Sequence, residues 1–475
     1  MPAPRADLHD VQALVRSGFG SLGAARYLLL RIGDAAAAKA WLARQVPTPA
    51  GAVGGGGTTL DRVLQIAFTP AGLIAAGFEA AELETLAPEF LDGMAGSERR
   101  SHRLGDVGEN APDRWHWGVG ANEPHMLLVL IARRDAFGGW ASAIEQDALA
   151  SGFTRVAALD SCPGDEDGRP SREPFGFADG LSQPDLDWEA RLALTGAVNR
   201  DYRPGIALGE VLLGHTNEYG AVAGDPGGPL VQRNGSYLVY RQLEQDVAGF
   251  WRWTAEAAGP GQARWLAERL VGRGIDGDAL PGLAGEGAGA NDFLFKDDPH
   301  GLACPLGAHV RRANPRVGDD PLGRRGFVRD LIATLGFAGP AQEDAVASAR
   351  FHRLLRRGRP YGTLLSPEAA LGLDGPAPEA GLHFLCLNAN LARQFEFVQG
   401  AWLASPTFAG LCQESDPLLG NRLPFPDARR TDLFRYHDAE GLPRIARALP
   451  RFVTVRGGAY FFLPGLAGLA SIAAR

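Results

Sequence analysis

The chain has 475 residues, 45% of them hydrophobic and 21% charged. That excludes a disordered, tail-like protein and leaves apolar material for two large domains or three ordinary ones. Lys plus Arg number 47 against 55 Asp plus Glu, a formal charge of −8, so nucleic acid is not an expected partner.

Cys162, Cys304, Cys386 and Cys412 form no CxxC pair. A disulfide framework and a zinc ribbon are therefore not expected. The first ten residues carry no apolar h-region, and the apolar runs 126–132 and 460–474 are short or broken by Pro464. The expectation is a cytoplasmic chain with no signal peptide and no membrane span.

In chain order, residues 25–32 (ARYLLLRI) read as a strand feeding an Ala-rich helix over 35–45. Residues 64–69 read as a strand, with Pro70 opening a helix. A buried-type strand over 125–132, a helix through 141–148 and a strand over 153–160 follow. The second half repeats this rhythm, with a strand at 235–240 before a helix through 251–257, and a strand at 382–387 before a helix through 392–402. A repeat of so long a period points to a duplicated domain, with strands and helices mixed as in an α+β fold with antiparallel sheets. The loop-rich stretch 184–231 places the division at 1–231 and 232–475. Gly18, Gly20 and Gly23 form a GxGxxG with the strand after it instead of before it, so a turn is expected there and not a dinucleotide site. The glycine run 54–57 lacks a following Lys-Ser/Thr and reads as a connection.

Three segments carry chemistry. Residues 173–184 read EPFGFADGLSQP, with Asp179-Gly180 suited to a turn and Phe175 and Phe177 to a core. Residues 304–316 read CPLGAHVRRANPR, which offers His309 as a ligand and Cys304 as a rival thiolate. Residues 351–362 read FHRLLRRGRPYG, where Phe351, Leu354 and Leu355 have the spacing of one helical face, ended by Gly358 and Pro360.

Together these segments resemble the dye-decolourising (DyP-type) peroxidases, a family of haem enzymes. The GFxDG motif stands as Gly176 to Gly180, the histidine motif as GAHVRRANPR over 307–316, and the arginine motif as LRRGRPYG over 355–362. The likeness extends to NGSYLVYRQLEQDV (234–247), FLCLNANLARQFEFVQGAW (384–402) and GGAYFFLP (457–464). It implies two duplicated ferredoxin-like α+β domains with haem b between them or within the second half. It implies His309 as the proximal iron ligand, Asp179 as the distal acid–base group and Arg356 as the distal cation, with Arg353, Arg357 and Arg359 as neighbours that could compete for the last role.

For the second nitrogen of His309, Glu396 is the expected partner, ahead of Asp297 and Asp298. Arg312 and Arg316 are candidates for the haem propionates, with Arg311 as a substitute. Leu385 and Leu387 share one facing on a strand and are expected to wall the distal pocket. The insert 318–329 is expected to reshape substrate access. Hydrogen peroxide and aromatic donors (dyes, phenols, amines) are the implied partners, and a homo-oligomer stays open. Trp251, Trp253, Trp402 and Tyr436 are candidate electron relays that could equally be core aromatics. A haem carrier without turnover would share His309 but would not need Asp179 and Arg356.

Overall fold

The computed structural model describes the chain apart from residues 1–5, 55–59, 165–170, 190–204, 225–227, 229, 284–290, 292, 296–297, 317–348 and 423–429. Asp297, the insert 318–329 and most of the glycine run 54–57 thus lie outside the described residues.

Among the described residues, one nine-stranded antiparallel sheet organises the protein. Its strands are β1 (Ala24–Ile32), β2 (Arg62–Phe68), β3 (Met126–Ala132), β4 (Phe153–Asp160), β5 (Ser236–Gln245), β6 (Leu355–Arg356), β7 (Arg359–Gly362), β8 (Ala380–Asn388) and β9 (Val453–Leu463). Their order is β4-β1-β3-β2-β9-β5-β8-β6, with β7 also on β8. Within each half of the chain the strands therefore run fourth, first, third, second, with β6 and β7 together taking the second place in the later half. This is the ferredoxin-like order, used twice. The halves meet where Phe462 of β9 pairs with Phe68 of β2.

Strand alternation sorts the core into two layers. On one face Val239, Leu243, Cys386, Val453 and Val455 join Phe175, Phe250 and Trp251. On the other, Tyr27, Leu29, Leu238, Tyr240, Leu385 and Leu387 form a second cluster. Helices cover the first face, among them Val247–Ala258, started by the Asp246 side chain accepting from Gly249 N–H, and Ala263–Val271.

Two local expectations differ from the structure. The segment after Phe351 is not a helix: Leu355–Arg356 is strand β6, paired with Leu387 and Cys386. Leu354 and Leu355 consequently go to opposite layers, and the i, i+3, i+4 spacing is coincidental in so short a run. The helix expected over 392–402 is a short turn, Phe395–Phe397, continued by a π-helical turn at Val398–Leu403. Among the described residues no helix is long and apolar enough to cross a membrane.

Candidate active site

A cavity of about 720 Å³ opens on the first face of the sheet. Its wall is built by Arg241, Leu243 and Gln245 of β5, Leu382 and Phe384 of β8, and Val453 and Val455 of β9. The loop 177–185 closes one side, and His309, Val310 and Ala313 another. Val398, Gln399 and Leu403 of the π-helical turn complete it. Such turns recur at functional sites because they re-aim side chains out of the helical register.

His309 begins a one-turn helix, His309–Ala313. Its Nδ1 lies 3.0 Å from Oδ2 and 3.1 Å from Oδ1 of Asp416. Asp416 is fully buried, and its Oδ1 also accepts the N–H groups of Leu418 and Leu419 at 2.9 and 2.8 Å. Burial would push this carboxyl up. The charge and hydrogen bond of His309, with Arg312 and the Leu419 N–H, overcome it and hold the carboxyl below its ordinary value. For His309, burial opposes the charged ring, and Asp416 overturns that and raises it. The pair fixes a proton on Nδ1 and leaves Nε2 for a ligand.

The partner of His309 is therefore Asp416, and Glu396 is not. Glu396 is buried on the far side of its turn, ion-paired with Arg100 at 3.0 Å and Arg103 at 3.1 Å, and accepts from the Tyr460 hydroxyl at 3.0 Å. Asp298 serves Arg311 and the N–H groups of residues 302–304.

Arg312 and Arg316 do not border the cavity either. Arg312 donates to the carbonyls of Trp402 and Ser405 at 2.8 and 3.0 Å and to that of Glu414, tying the His309 helix to the π-helical turn and to the segment that carries Asp416. Arg316 donates to Asn291 and Phe293 carbonyls, both at 2.7 Å, and lies over the Phe293 ring. Arg311 donates to the carbonyls of Cys304 and Asp298. These buried guanidiniums are cross-links, each donating to backbone carbonyls that nothing in the sequence marks. Among the described residues, the arginines that do border the cavity are Arg241, Arg273, Arg353 and Arg356.

Leu385 and Leu387 share a facing, as expected, but it is the opposite one, within the second core layer. Leu382 and Phe384 hold the cavity side. Cys304 is buried outside the cavity lining, its sulfur 3.9 Å from its neighbour's carbonyl.

Asp179 and Arg356 both border the cavity. Asp179 Oδ1 accepts from Gly180 N–H at 2.6 Å, and its own N–H donates to the Ser171 carbonyl at 2.7 Å. Gly180 has φ 79°, which L side chains rarely adopt. Arg357 and Arg359 instead turn to the N-terminal segment, donating to the carbonyls of Leu14, Val15, Gly18 and Leu22. This makes the GxGxxG a carbonyl cup, consistent with a turn.

Glu173 is a cavity residue given no role in the sequence reading. Its carboxylate accepts the N–H groups of Phe175 and Phe177 at 3.0 and 2.9 Å and the Gln245 amide at 2.8 Å. Burial pushes it up to about 7, with Asp179 adding to the rise and these hydrogen bonds opposing it. Trp251 supports the same loop, its indole N–H donating to the Phe175 carbonyl at 3.1 Å. Trp402 is buried, and Trp253 and Tyr436 are partly buried against the first core layer.

The donor set fits a haem. One imidazole nitrogen is free on a fixed ring, the walls are largely apolar, and the cationic side chains suit a group bearing two carboxylates. Among the described residues no cluster of three or more His, Cys, Asp or Glu is placed to hold a bare metal ion.

No protein-family model matches the chain. It is 33% identical over 321 residues to the multifunctional dye peroxidase DyP2 of an Amycolatopsis species, across 63% of this chain and 61% of that relative's length. A dye-decolorizing peroxidase of Exidia glandulosa is 26% identical across 94% of this chain and 83% of its own. Among solved structures, an ancestral D-type dye-decolorizing peroxidase superimposes with a TM-score of 0.74 at 25% identity, over 98% of this chain and 99% of its own. A dye-decolorizing peroxidase in complex with 2,6-dimethoxyphenol superimposes at 0.73 with 24% identity, over 98% of this chain and 100% of its own. The motifs in order along the chain and the twice-used ferredoxin-like sheet agree with these likenesses: in sequence and in fold the chain is similar to the dye-decolourising peroxidases.

Proposed function

We propose that the protein is a haem b peroxidase that uses hydrogen peroxide to oxidise aromatic donors, phenols among them, one electron at a time. The observation that carries this reading is that one cavity is bordered by His309, Asp179 and Arg356. A haem carrier would need only the first. The first half, 1–231, supplies the Asp179 loop, and the second, 232–475, supplies His309, Arg356 and the sheet wall.

Bound haem would supply the redox chemistry. His309 would hold the iron through Nε2, while Asp416 takes the Nδ1 hydrogen bond and strengthens the imidazole as a donor. Asp179 takes a proton from the incoming peroxide and returns it to the departing oxygen. Arg356 is always cationic and stabilises negative charge as the oxygen–oxygen bond breaks. Arg241, Arg273 and Arg353 are the candidates for the propionates. Leu382, Phe384, Val453 and Val455 exclude water and strengthen each of these polar interactions.

The test is the absorption spectrum of the haem-loaded protein, with peroxide and then with 2,6-dimethoxyphenol. A histidine-ligated spectrum that changes with peroxide and is restored by the phenol supports the reading. Haem that binds through His309 but ignores peroxide would make the protein a carrier.

A further inference from the structure

Behind the cavity wall, on the opposite face of the sheet, lies a run of aromatic rings. Trp117 meets Tyr240 at 4.9 Å between centroids, and Tyr240 meets Tyr27 at 5.1 Å. Tyr27 meets His383 at 4.8 Å, and His383 stacks on Tyr361 at 4.6 Å. Each is buried. Two glycines make room: a Cβ on Gly457 would collide with the Trp117 indole, and one on Gly381 with the Tyr361 ring. The Tyr240 hydroxyl lies 3.0 Å from His383 Nδ1, and His383 Nε2 lies 3.3 Å from the Asp160 carbonyl. A carbonyl only accepts, so Nε2 carries the proton, Nδ1 is the acceptor and the phenol donates.

The pair stands one residue from the cavity on both strands. Tyr240 precedes Arg241, and His383 sits between Leu382 and Phe384, all three of which line the cavity. Apolar packing alone does not call for a phenol hydrogen-bonded to a buried imidazole.

We propose that Tyr240 and His383 form a proton-coupled redox site, in which Tyr240 gives one electron to the haem once peroxide has oxidised it. This rests on the peroxidase reading above. The phenol O–H bond breaks, its proton forms an N–H bond at His383 Nδ1, and the electron crosses the sheet to the cofactor. The products are a neutral tyrosyl radical and an imidazolium. An electron from an aromatic donor, with the proton returning from Nδ1, restores the pair. Proton transfer is what makes the oxidation feasible here. A bare phenol cation has no water to solvate it at this depth, whereas the imidazolium keeps the Asp160 carbonyl. Burial pushes His383 down to about 4 and Tyr240 well above its ordinary value, so at rest the base is neutral and the phenol protonated.

The experiment mixes the haem-loaded protein with peroxide and no donor, freezes it, and records electron paramagnetic resonance. The expected result is a neutral tyrosyl signal, lost in Tyr240→Phe, a change that removes only the hydroxyl. His383→Phe, which keeps a ring against Tyr27 and Tyr361, should cut the yield and abolish the solvent deuterium effect on radical formation. An unchanged signal in Tyr240→Phe overturns the proposal. So does the absence of a protein radical while the haem spectrum responds to peroxide. If the haem spectrum does not respond, the peroxidase reading fails separately. Photogenerated tris(bipyridine)ruthenium(III) then serves as the oxidant, and the Tyr240 site stands only if Tyr240→Phe removes the resulting tyrosyl signal.

Discussion

The backbone N–H of Arg356 donates to Oε1 of Gln183 at 2.9 Å, and the Arg356 guanidinium reaches the Ser182 carbonyl at 3.4 Å. The strand that bears the cation is thereby fastened to the loop that bears Asp179. One side chain sets the distance between the two groups that must act on the same peroxide. Gln183→Ala should retain haem and slow its reaction with peroxide. A lost hydrogen bond worth about 1 kcal/mol corresponds to about fivefold in rate. Stopped-flow absorption decides this, and an unaltered rate would show that the fastening is not used.

Asp416→Asn and Glu396→Gln separate the observed partner of His309 from the expected one. The amide in place of the Asp416 carboxylate would keep the shape but lose the charge that raises imidazole donor strength. Haem affinity or turnover should fall by about 10–100-fold, and the haem midpoint potential should rise in spectroelectrochemical titration. Glu396→Gln should leave the potential alone. It weakens the ion pairs to Arg100 and Arg103, lowering stability by about 1–3 kcal/mol in urea.

Local chemistry was legible in the sequence, and long-range partnership was not. Asp179, His309 and Arg356 sit in short motifs, and all three border the cavity. Asp416 lies 107 positions from His309, in a loop whose only sign is an acid before Pro417-Leu418-Leu419. Glu396 had the more inviting aromatic neighbours but points elsewhere. On β8 the alternation of facing was readable, yet which parity meets the cavity depends on which layer lies above the sheet. Arg312 and Arg316 failed for a related reason: carbonyl partners leave no trace in side-chain identity.

That parity has a consequence on β8. Leu385 is fully buried in the second layer, so Leu385→Ala should cost about 2–5 kcal/mol of stability with the peroxide reaction unchanged. Phe384→Ala should instead widen the cavity and lower KM for a bulky dye relative to a small phenol. Denaturation midpoints and steady-state kinetics on both variants check this. A changed KM in Leu385→Ala with no change in Phe384→Ala would reverse the assignment of faces.

Glu173 makes stability depend on pH in a direction opposite to the usual carboxylate. Its folded value is raised from 4.5 to about 7, first by burial and also by Asp179. An acid raised on folding binds its proton more tightly in the folded state than in the unfolded one. Its favourable contribution is complete below about pH 4.5. It declines as pH climbs to about 7, and above that no further change comes from this group. A shift of this size corresponds to about 3 kcal/mol, at about 1.4 kcal/mol per unit. Over the same window the ionising carboxylate puts a second negative charge beside Asp179 on the loop that closes the cavity. Glu173→Gln removes the titration and keeps one carbonyl oxygen, which can serve only one of the Phe175 and Phe177 N–H groups, because the two donate to different oxygens of the carboxylate. Urea midpoints at half-unit steps from pH 4.5 to 7.5 should therefore fall more steeply in the parent than in the variant. Parallel curves would mean that Glu173 stays charged throughout and that its three hydrogen bonds outweigh burial.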